Sequence, residues 1–301
     1  MKKVLITGIT GRSGMCFAEV LQNEPEAEFE YTAVVRSEEK AKELSIFPKI
    51  MPIIGDLTDE AFLTDVTKGI DTVLHIAGIK MSVSLTKAAI ENHVRRIILV
   101  HTTGIYSKFK AASEEYLEIE KKVFAMLQDS ETYFTVLRPT MIYGNLKDPN
   151  MSKFIKMVDK LRIFPVVDKG TFALQPVNIR DLGKAYYQVL TNEESTKNKC
   201  YDLSGGTVID LVDILKLISQ LLGKKTVFVS VPSPLAYFAA KMLYLLSLKK
   251  IDYRERVQRL TEPRAYGHEE AVKDFGYCPM PFYEGIKAEV EEYRKKKESQ
   301  A

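Results

Sequence analysis

Apolar positions in the first half of the chain fall into short runs, and charge-rich stretches with helical spacing separate them. Lys2–Ile6, Glu30–Val35, Ile50–Ile54, Asp71–Ala77, Arg96–His101 and Tyr133–Leu137 are β-branched and apolar runs of the length expected for buried strands. Between them, Met15–Leu21, Ser37–Leu44, the stretch after Thr58 through Lys68, Ser84–His93 and Ala111–Gln128 read as helices. Strands and helices alternating at short loop lengths predict a parallel sheet covered on both faces, with any ligand lying across the carboxyl ends of the strands. From about Asn145 the rhythm changes. Helices are predicted around Met151–Lys160, Ile179–Thr191 and Asp210–Leu222 and near Pro234, Glu269 and Phe282, with strand-like pieces near Leu174, Tyr201 and Val227. The expected organisation is a sheet domain over residues 1–170 and a smaller α/β lobe over 171–301 packed on it, with segments exchanged between the two.

The first strand runs straight into Thr7-Gly8-Ile9-Thr10-Gly11-Arg12-Ser13-Gly14 and then a helix. Glycines at this spacing have separate tasks. Gly8 permits the tight turn off the strand, Gly11 lets a pyrophosphate approach bare backbone, and Gly14 lets the helix pack on the sheet. The helix N-terminus presents unpaired N–H groups and the positive end of its dipole to that pyrophosphate. Gly8, Thr10, Gly11, Arg12, Ser13 and Gly14 are therefore the candidate dinucleotide cradle. No Gly-Lys-Ser/Thr closes the loop, which excludes a nucleoside triphosphate loop of the Walker type. At the end of the second strand an acidic residue would hold ribose hydroxyls, whereas an arginine accommodates a 2′-phosphate. Here Val35 is followed by Arg36, with Ser37 beside it and Lys40 a turn later, so NADP is expected over NAD.

Composition narrows the reading further. At 301 residues the chain exceeds a typical single domain. A formal charge of +3 from 43 basic and 40 acidic residues gives no electrostatic case for nucleic acid. Cys16, Cys200 and Cys278 are odd in number and far apart, which fits a reducing cytoplasm and no metal centre. No leader-like segment precedes the first strand, and the longest apolar stretch, Pro234–Leu248, is interrupted by Lys241 and Ser247 and is too short to span a bilayer. Its aromatics Tyr237, Phe238 and Tyr244 read as lobe packing, or as a partner or membrane-surface contact.

Several segments together resemble the short-chain dehydrogenase/reductases in their extended and atypical, NmrA-like branches. They are the glycine turn, Gly55-Asp56-Leu57, His75-Ile76-Ala77-Gly78, Thr102-Thr103-Gly104-Ile105-Tyr106, Arg138-Pro139-Thr140-Met141-Ile142-Tyr143-Gly144, Gln175-Pro176-Val177-Asn178-Ile179-Arg180-Asp181-Leu182, Tyr201–Gly206 and Asp274–Tyr277. The resemblance runs nearly end to end and implies a doubly wound Rossmann sheet with a substrate lobe. It further implies that Asp56 and Leu57 contact the adenine, Ala77 and Gly78 line the cofactor ribose, and the backbone of Thr140 to Ile142 faces the nicotinamide. A small-molecule substrate is expected, and helix-mediated homodimers are common among such proteins.

The family's catalytic set is a tyrosine, a lysine four residues on, and a hydroxyl after the fifth strand. Thr102 or Thr103 supplies the hydroxyl, and Tyr116 falls at the tyrosine position. Glu120, however, stands where the lysine should be. A neighbouring cation lowers a phenol pKa and a carboxylate raises it, so the exchange matters. Three readings remain open: Lys121 substitutes, although it lies about 100° around the helix from position 120; Tyr106 and Lys110 form the pair; or the tyrosine moves no proton. Of the other candidates, His75 and His101 at strand ends read as packed histidines, Asp181 as a helix-orienting carboxylate, and Tyr106, Tyr116 and Tyr143 as alternative pocket linings. Two functions follow. One is a hydride-transferring oxidoreductase or sugar-nucleotide epimerase/dehydratase-like enzyme. The other is a non-catalytic NADPH-binding regulator or scaffold, like the redox-sensing regulators and the respiratory accessory subunit related to this family.

Overall fold

The computed structural model describes residues 1–24, 28–109 and 112–300. In chain order the first half comprises β1 (Lys2–Thr7), α1 (Arg12–Asn23), β2 (Phe29–Val35), α2 (Glu38–Glu43), β3 (Ile50–Ile54), α3 (Glu60–Val66), β4 (Thr72–His75), α4 (Ser82–Glu91), β5 (Arg96–Val100), α5 (Ser113–Gln128) and β6 (Tyr133–Pro139). There follow β7 (Ile142–Tyr143), α6 (Met151–Lys160), β8 (Ile163–Val167), β9 (Ala173–Leu174), β10 (Val177–Asn178), α7 (Ile179–Thr191), α8 (Glu193–Thr196) and β11 (Lys199–Leu203). The chain closes with β12 (Ile209–Asp210), α9 (Leu211–Leu221), β13 (Val227–Val231), α10 (Ser233–Leu246), α11 (Arg254–Arg259), α12 (Glu269–Phe275) and α13 (Phe282–Glu298).

Seven strands form one parallel sheet in the order β11-β6-β5-β4-β1-β2-β3. The order reverses between β1 and β4, so a crevice opens there at the carboxyl ends of the strands. Side chains alternate across the sheet. Val4 and Ile6 of β1 face α1 and α7, in a core with Phe17, Leu21, Leu182, Tyr186 and Val189. Leu5, between them, faces α4 and α5 in a core with Leu85, Ala88, Val123 and Leu127. Each such fully buried side chain contributes about 1.5–3 kcal/mol.

Two features of this layering cross the expected boundary at residue 170. The segment at Tyr201, expected in the smaller lobe, is β11, the seventh strand of the main sheet, hydrogen-bonded to β6. Helix α7 covers the main sheet beside α1; a Cβ added at Gly183 would sit 2.7 Å from the Cys16 carbonyl carbon and 2.8 Å from the Phe17 nitrogen. Conversely α6, upstream of residue 170, packs with α9 and α13 in a separate core through Ile155, Val158, Ile214, Ile218, Ile286 and Val290. Exchange across residue 170 therefore runs in both directions. Short elements with few local signals, β8 and α11, were not expected from the sequence.

Candidate functional site

The turn after β1 is built around close backbone approaches. Gly8 has φ +79°, and a Cβ there would meet the Ala77 nitrogen at 2.5 Å. A Cβ at Gly14 would lie 2.5 Å from the carbonyl oxygens of Gly8 and Ile9, so this glycine seats α1 on the turn. Gly11 N donates to the Gly8 carbonyl (2.9 Å), and Gly11 caps α1 with no side-chain hydrogen bond. The first-turn amides are thus left without a capping side chain. Above them lies a cleft of about 670 Å³ lined by Gly8, Thr10, Gly11, Arg12, Ser13, Arg36, Lys40, Asp56, Leu57, Ala77 and Ile142, among others.

Most of the expected cradle is therefore gathered around one cleft, with three exceptions. Gly14 lies beneath it, Gly78 turns its carbonyl to His75 Nε2 (3.0 Å), and Thr140 lines a neighbouring cavity instead. The Ser13 hydroxyl accepts from Tyr186 of α7 (3.1 Å). At the far end of the cleft, Arg36 is exposed. Lys40 is committed to Glu43 (2.6 Å), and the amide of Lys40 donates to Ser37 Oγ (3.3 Å). Asp56 accepts from the Thr58 amide (2.9 Å), and that backbone hydrogen bond, with one from the Thr58 side chain, holds its carboxyl below the usual range.

The neighbouring cavity, about 250 Å³, is lined by Thr102, Thr103, Gly104, Ser107, Thr140, Met141, Asn150, Arg259, Arg264 and Tyr266. Arg12 and Ile142 line both spaces, so the two adjoin. Thr102 Oγ accepts from the Gly104 amide (3.0 Å), which fixes the turn after β5. Thr140 Oγ donates to the Gln175 carbonyl (2.5 Å). The sequence reading missed Arg259, Arg264 and Tyr266. They lie more than a hundred residues beyond Thr140, and no local pattern links them to the turn.

Glu120 is the centre of a closed charged network. It is 4% exposed, and Arg138 donates to it twice, from Nε to Oε1 (2.9 Å) and from Nη2 to Oε2 (2.7 Å). His101 Nδ1 lies 2.9 Å from Oε1, and its Nε2 lies 3.0 Å from Ser82 Oγ. Burial pushes the Glu120 carboxyl up, but hydrogen bonds from His101 and Arg138 together with the arginine's charge outweigh it, leaving the carboxyl below its usual range. Arg138 Nη1 also donates to the Tyr106 hydroxyl (3.3 Å), which donates in turn to Asp202 (3.1 Å). The lysine position of the family is thus occupied by a satisfied anion. Tyr116, half-buried on α5, and the exposed Lys121 line neither the cleft nor the second cavity. Lys110 lies outside the described residues.

The remaining candidates have structural partners. His75 is fully buried; Thr7 Oγ lies 2.6 Å from its Nδ1, and burial, reinforced by His101, lowers its pKa to about 4, so it is neutral. A neutral ring bonded to Thr7 and to the Gly78 carbonyl carries its proton on Nε2. Tyr143 is buried against Phe282 and does not face the cleft. Asp181 Oδ2 accepts from the Met280 amide (3.1 Å), orienting the approach to α13. Among the described residues no group of His, Cys, Asp and Glu is placed to hold a metal ion, and no helix is long and apolar enough to cross a membrane.

The cleft fits a dinucleotide on its own geometry. Backbone approaches that exclude a Cβ, uncapped helix amides, and the buried, unpartnered Nη1 of Arg12 all favour an anionic ligand at the turn. Comparison with known proteins agrees: residues 8–160 match a family model described as NAD(P)H-binding. A curated relative, the mitochondrial NADH dehydrogenase (ubiquinone) 1 alpha subcomplex subunit 9 of Arabidopsis thaliana, is 26% identical over 102 residues, 34% of this chain. The match spans only 25% of that relative's length. Among solved structures, the UDP-glucuronic acid 4-epimerase of Bacillus cereus in complex with NAD superposes with a TM-score of 0.75 at 14% identity, over 97% of this chain and 99% of that one. The UDP-glucose 4-epimerase of Thermotoga maritima gives 0.71 at 17% identity, over 98% and 99%. An NADPH-dependent quinone oxidoreductase of Escherichia coli gives 0.71 at 20%, over 97% and 99%. At such identities the likeness speaks for the fold.

Proposed function

The chain belongs to the NAD(P)H-binding family, and from that premise we propose that it is an NADPH-dependent oxidoreductase of the extended short-chain dehydrogenase/reductase type, acting on a carbonyl or alcohol carbon of a small molecule. The carrying observation is the adjacency of the two spaces. The cleft over the glycine turn meets the Thr102 cavity at Arg12 and Ile142. In this reading the amides after Gly11, with Thr10, Arg12 and Ser13, hold the diphosphate. Asp56 and Leu57 border the adenine, Arg36 meets a 2′-phosphate, and Ala77 and Ile142 flank the ribose and nicotinamide. The cofactor, when bound, supplies hydride transfer. Thr102 orients the substrate oxygen, and the proton moves through groups of the second cavity rather than through Tyr116 and Lys121, which line neither space. An epimerase-like cycle is a variant of the same hydride chemistry, and the UDP-sugar epimerases with this fold make it worth assaying.

A second reading, an NADPH-binding protein without turnover, is favoured by one observation: Glu120 is locked by Arg138 and His101 where an activating lysine would stand. Titration with NADPH and NADH, followed by carbonyl, quinone and UDP-sugar panels, separates the two. Turnover abolished by Thr102→Val and retained in Tyr116→Phe supports the enzyme as drawn. Tight NADPH binding with no turnover on any panel supports the second reading. No binding of either nucleotide removes both.

A further inference from the structure

Three guanidinium groups line the second cavity, and each has a buried nitrogen without a hydrogen-bond partner: Arg12 Nη1, Arg259 Nε and Arg264 Nε. They are three of the seven such side-chain atoms found among the described residues, so unmet donors are concentrated at this one place. A buried charged donor left unpaired is costly, and folded proteins rarely keep several together without a ligand to meet them. The nearest carboxylates do not meet the need. Glu262 is spent on Ser107 Oγ (2.7 Å) and the Lys108 amide (2.7 Å), and Glu255 stands 3.9 Å from Arg259 Nη1. No ion pair among the described residues involves Arg12 or Arg264.

The arrangement is also pinned in place. The Arg264 amide donates to the Ala173 carbonyl (2.8 Å), and the Tyr266 amide donates to Gln175 Oε1 (3.1 Å). Gln175 Nε2 donates onward to the Gly205 carbonyl (2.8 Å), and the Tyr266 ring packs on Tyr106 with centroids 5.1 Å apart. Fork-shaped donors lining a small space suit a planar or tetrahedral oxyanion.

We propose that this cavity is an oxyanion subsite, in which Arg259 and Arg264 grip the carboxylate or phosphate of a small substrate, with Arg12, assigned above to the cofactor diphosphate, at its border. The inference rests on the reading of the adjoining cleft as the cofactor site, and it names the substrate class: a small carbonyl or hydroxy compound bearing one acidic group. A space of about 250 Å³ beside the cleft admits such a head group. Burial first, and then the neighbouring Arg259, lower the Arg264 pKa to about 10, and an anion in the cavity would oppose the repulsion.

Calorimetric titration of the full chain with inorganic phosphate and with malonate, with and without saturating NADPH, tests this. One saturable site for either probe is expected, and the tighter probe identifies the head group. Arg259→Gln and Arg264→Gln should each weaken it by about tenfold or more, as loss of a charge-assisted bond does, with NADPH affinity unchanged. If the glutamine variants do not fold, Arg264→Lys, which keeps the charge but loses the fork, should still weaken binding. Protein that binds NADPH but shows no saturable binding of either probe, or affinity untouched by these substitutions, overturns the subsite alone. Failure to bind NADPH overturns the cofactor reading, and the probe titrations without nucleotide still report on the subsite.

Discussion

Two clusters of charged side chains sit at the carboxyl end of the same sheet, and they differ in how their charges are met. Around Glu120 every strong donor and acceptor has a partner: Arg138 grips both carboxylate oxygens, and His101 bridges to Ser82. Arg259 and Arg264 line a cavity, each keeps a buried Nε without a partner, and nearby carboxylates are engaged elsewhere or stand off. The first arrangement is complete without a ligand and holds α5 to β6. The second leaves buried guanidinium nitrogens without a partner. A perturbed or buried charge is therefore not by itself a mark of chemistry, and the open donor is the better pointer.

The largest expected effect breaks the closed cluster. Glu120→Ala leaves Arg138 buried and unpaired and should cost about 3–5 kcal/mol in urea unfolding, whereas the joint change of Glu120 and Arg138 to Met should recover most of it. A loss under about 1 kcal/mol would mean that the cluster is not closed in solution.

A third mode, neutralisation, comes next. Burial, then the neighbouring Asp148, raises the Glu289 pKa to about 9, so its carboxyl is protonated when folded at neutral pH. A raised folded pKa stabilises fully below the usual glutamate range and loses its contribution as pH rises toward about 9. Urea midpoints should therefore fall across that window, and Glu289→Gln should flatten the slope.

Smaller effects separate ligand binding from stability. Arg36→Ala should weaken NADPH about tenfold, about 1.4 kcal/mol, and leave NADH unchanged in fluorescence titration. Arg264→Met should shift stability by no more than about 1 kcal/mol, because it removes a donor that has no protein partner. Tyr116→Phe should alter nucleotide affinity by less than about 0.5 kcal/mol, because Tyr116 lines neither the cleft nor the second cavity.

What the sequence made legible was local. The glycine turn, the alternation of β1 to β6 and the candidate cleft residues on them are encoded within windows of a few residues, and the sheet gathers most of them. The place of the seventh strand is not legible, because Lys199–Leu203 looks like any short strand until β6 offers its edge. Glu120 was recognised as an anomaly and Arg138 as part of a motif, but their pairing depends on α5 lying over β6. Arg259 and Arg264 carried no signal at all. They reach the cavity because Gln175 and Ala173 anchor the residues around them.

Gly183 has a consequence for how the chain can be divided. Helix α1 meets α7 at a place with no room for a methyl group, so the surface that seats the nucleotide-facing helix is completed only when residues beyond 179 have been synthesised. A fragment cut at residue 170 would expose one flank of α1 to water and leave β6 as a bare edge. The nucleotide-facing helix therefore takes part of its support from outside the matched residues 8–160.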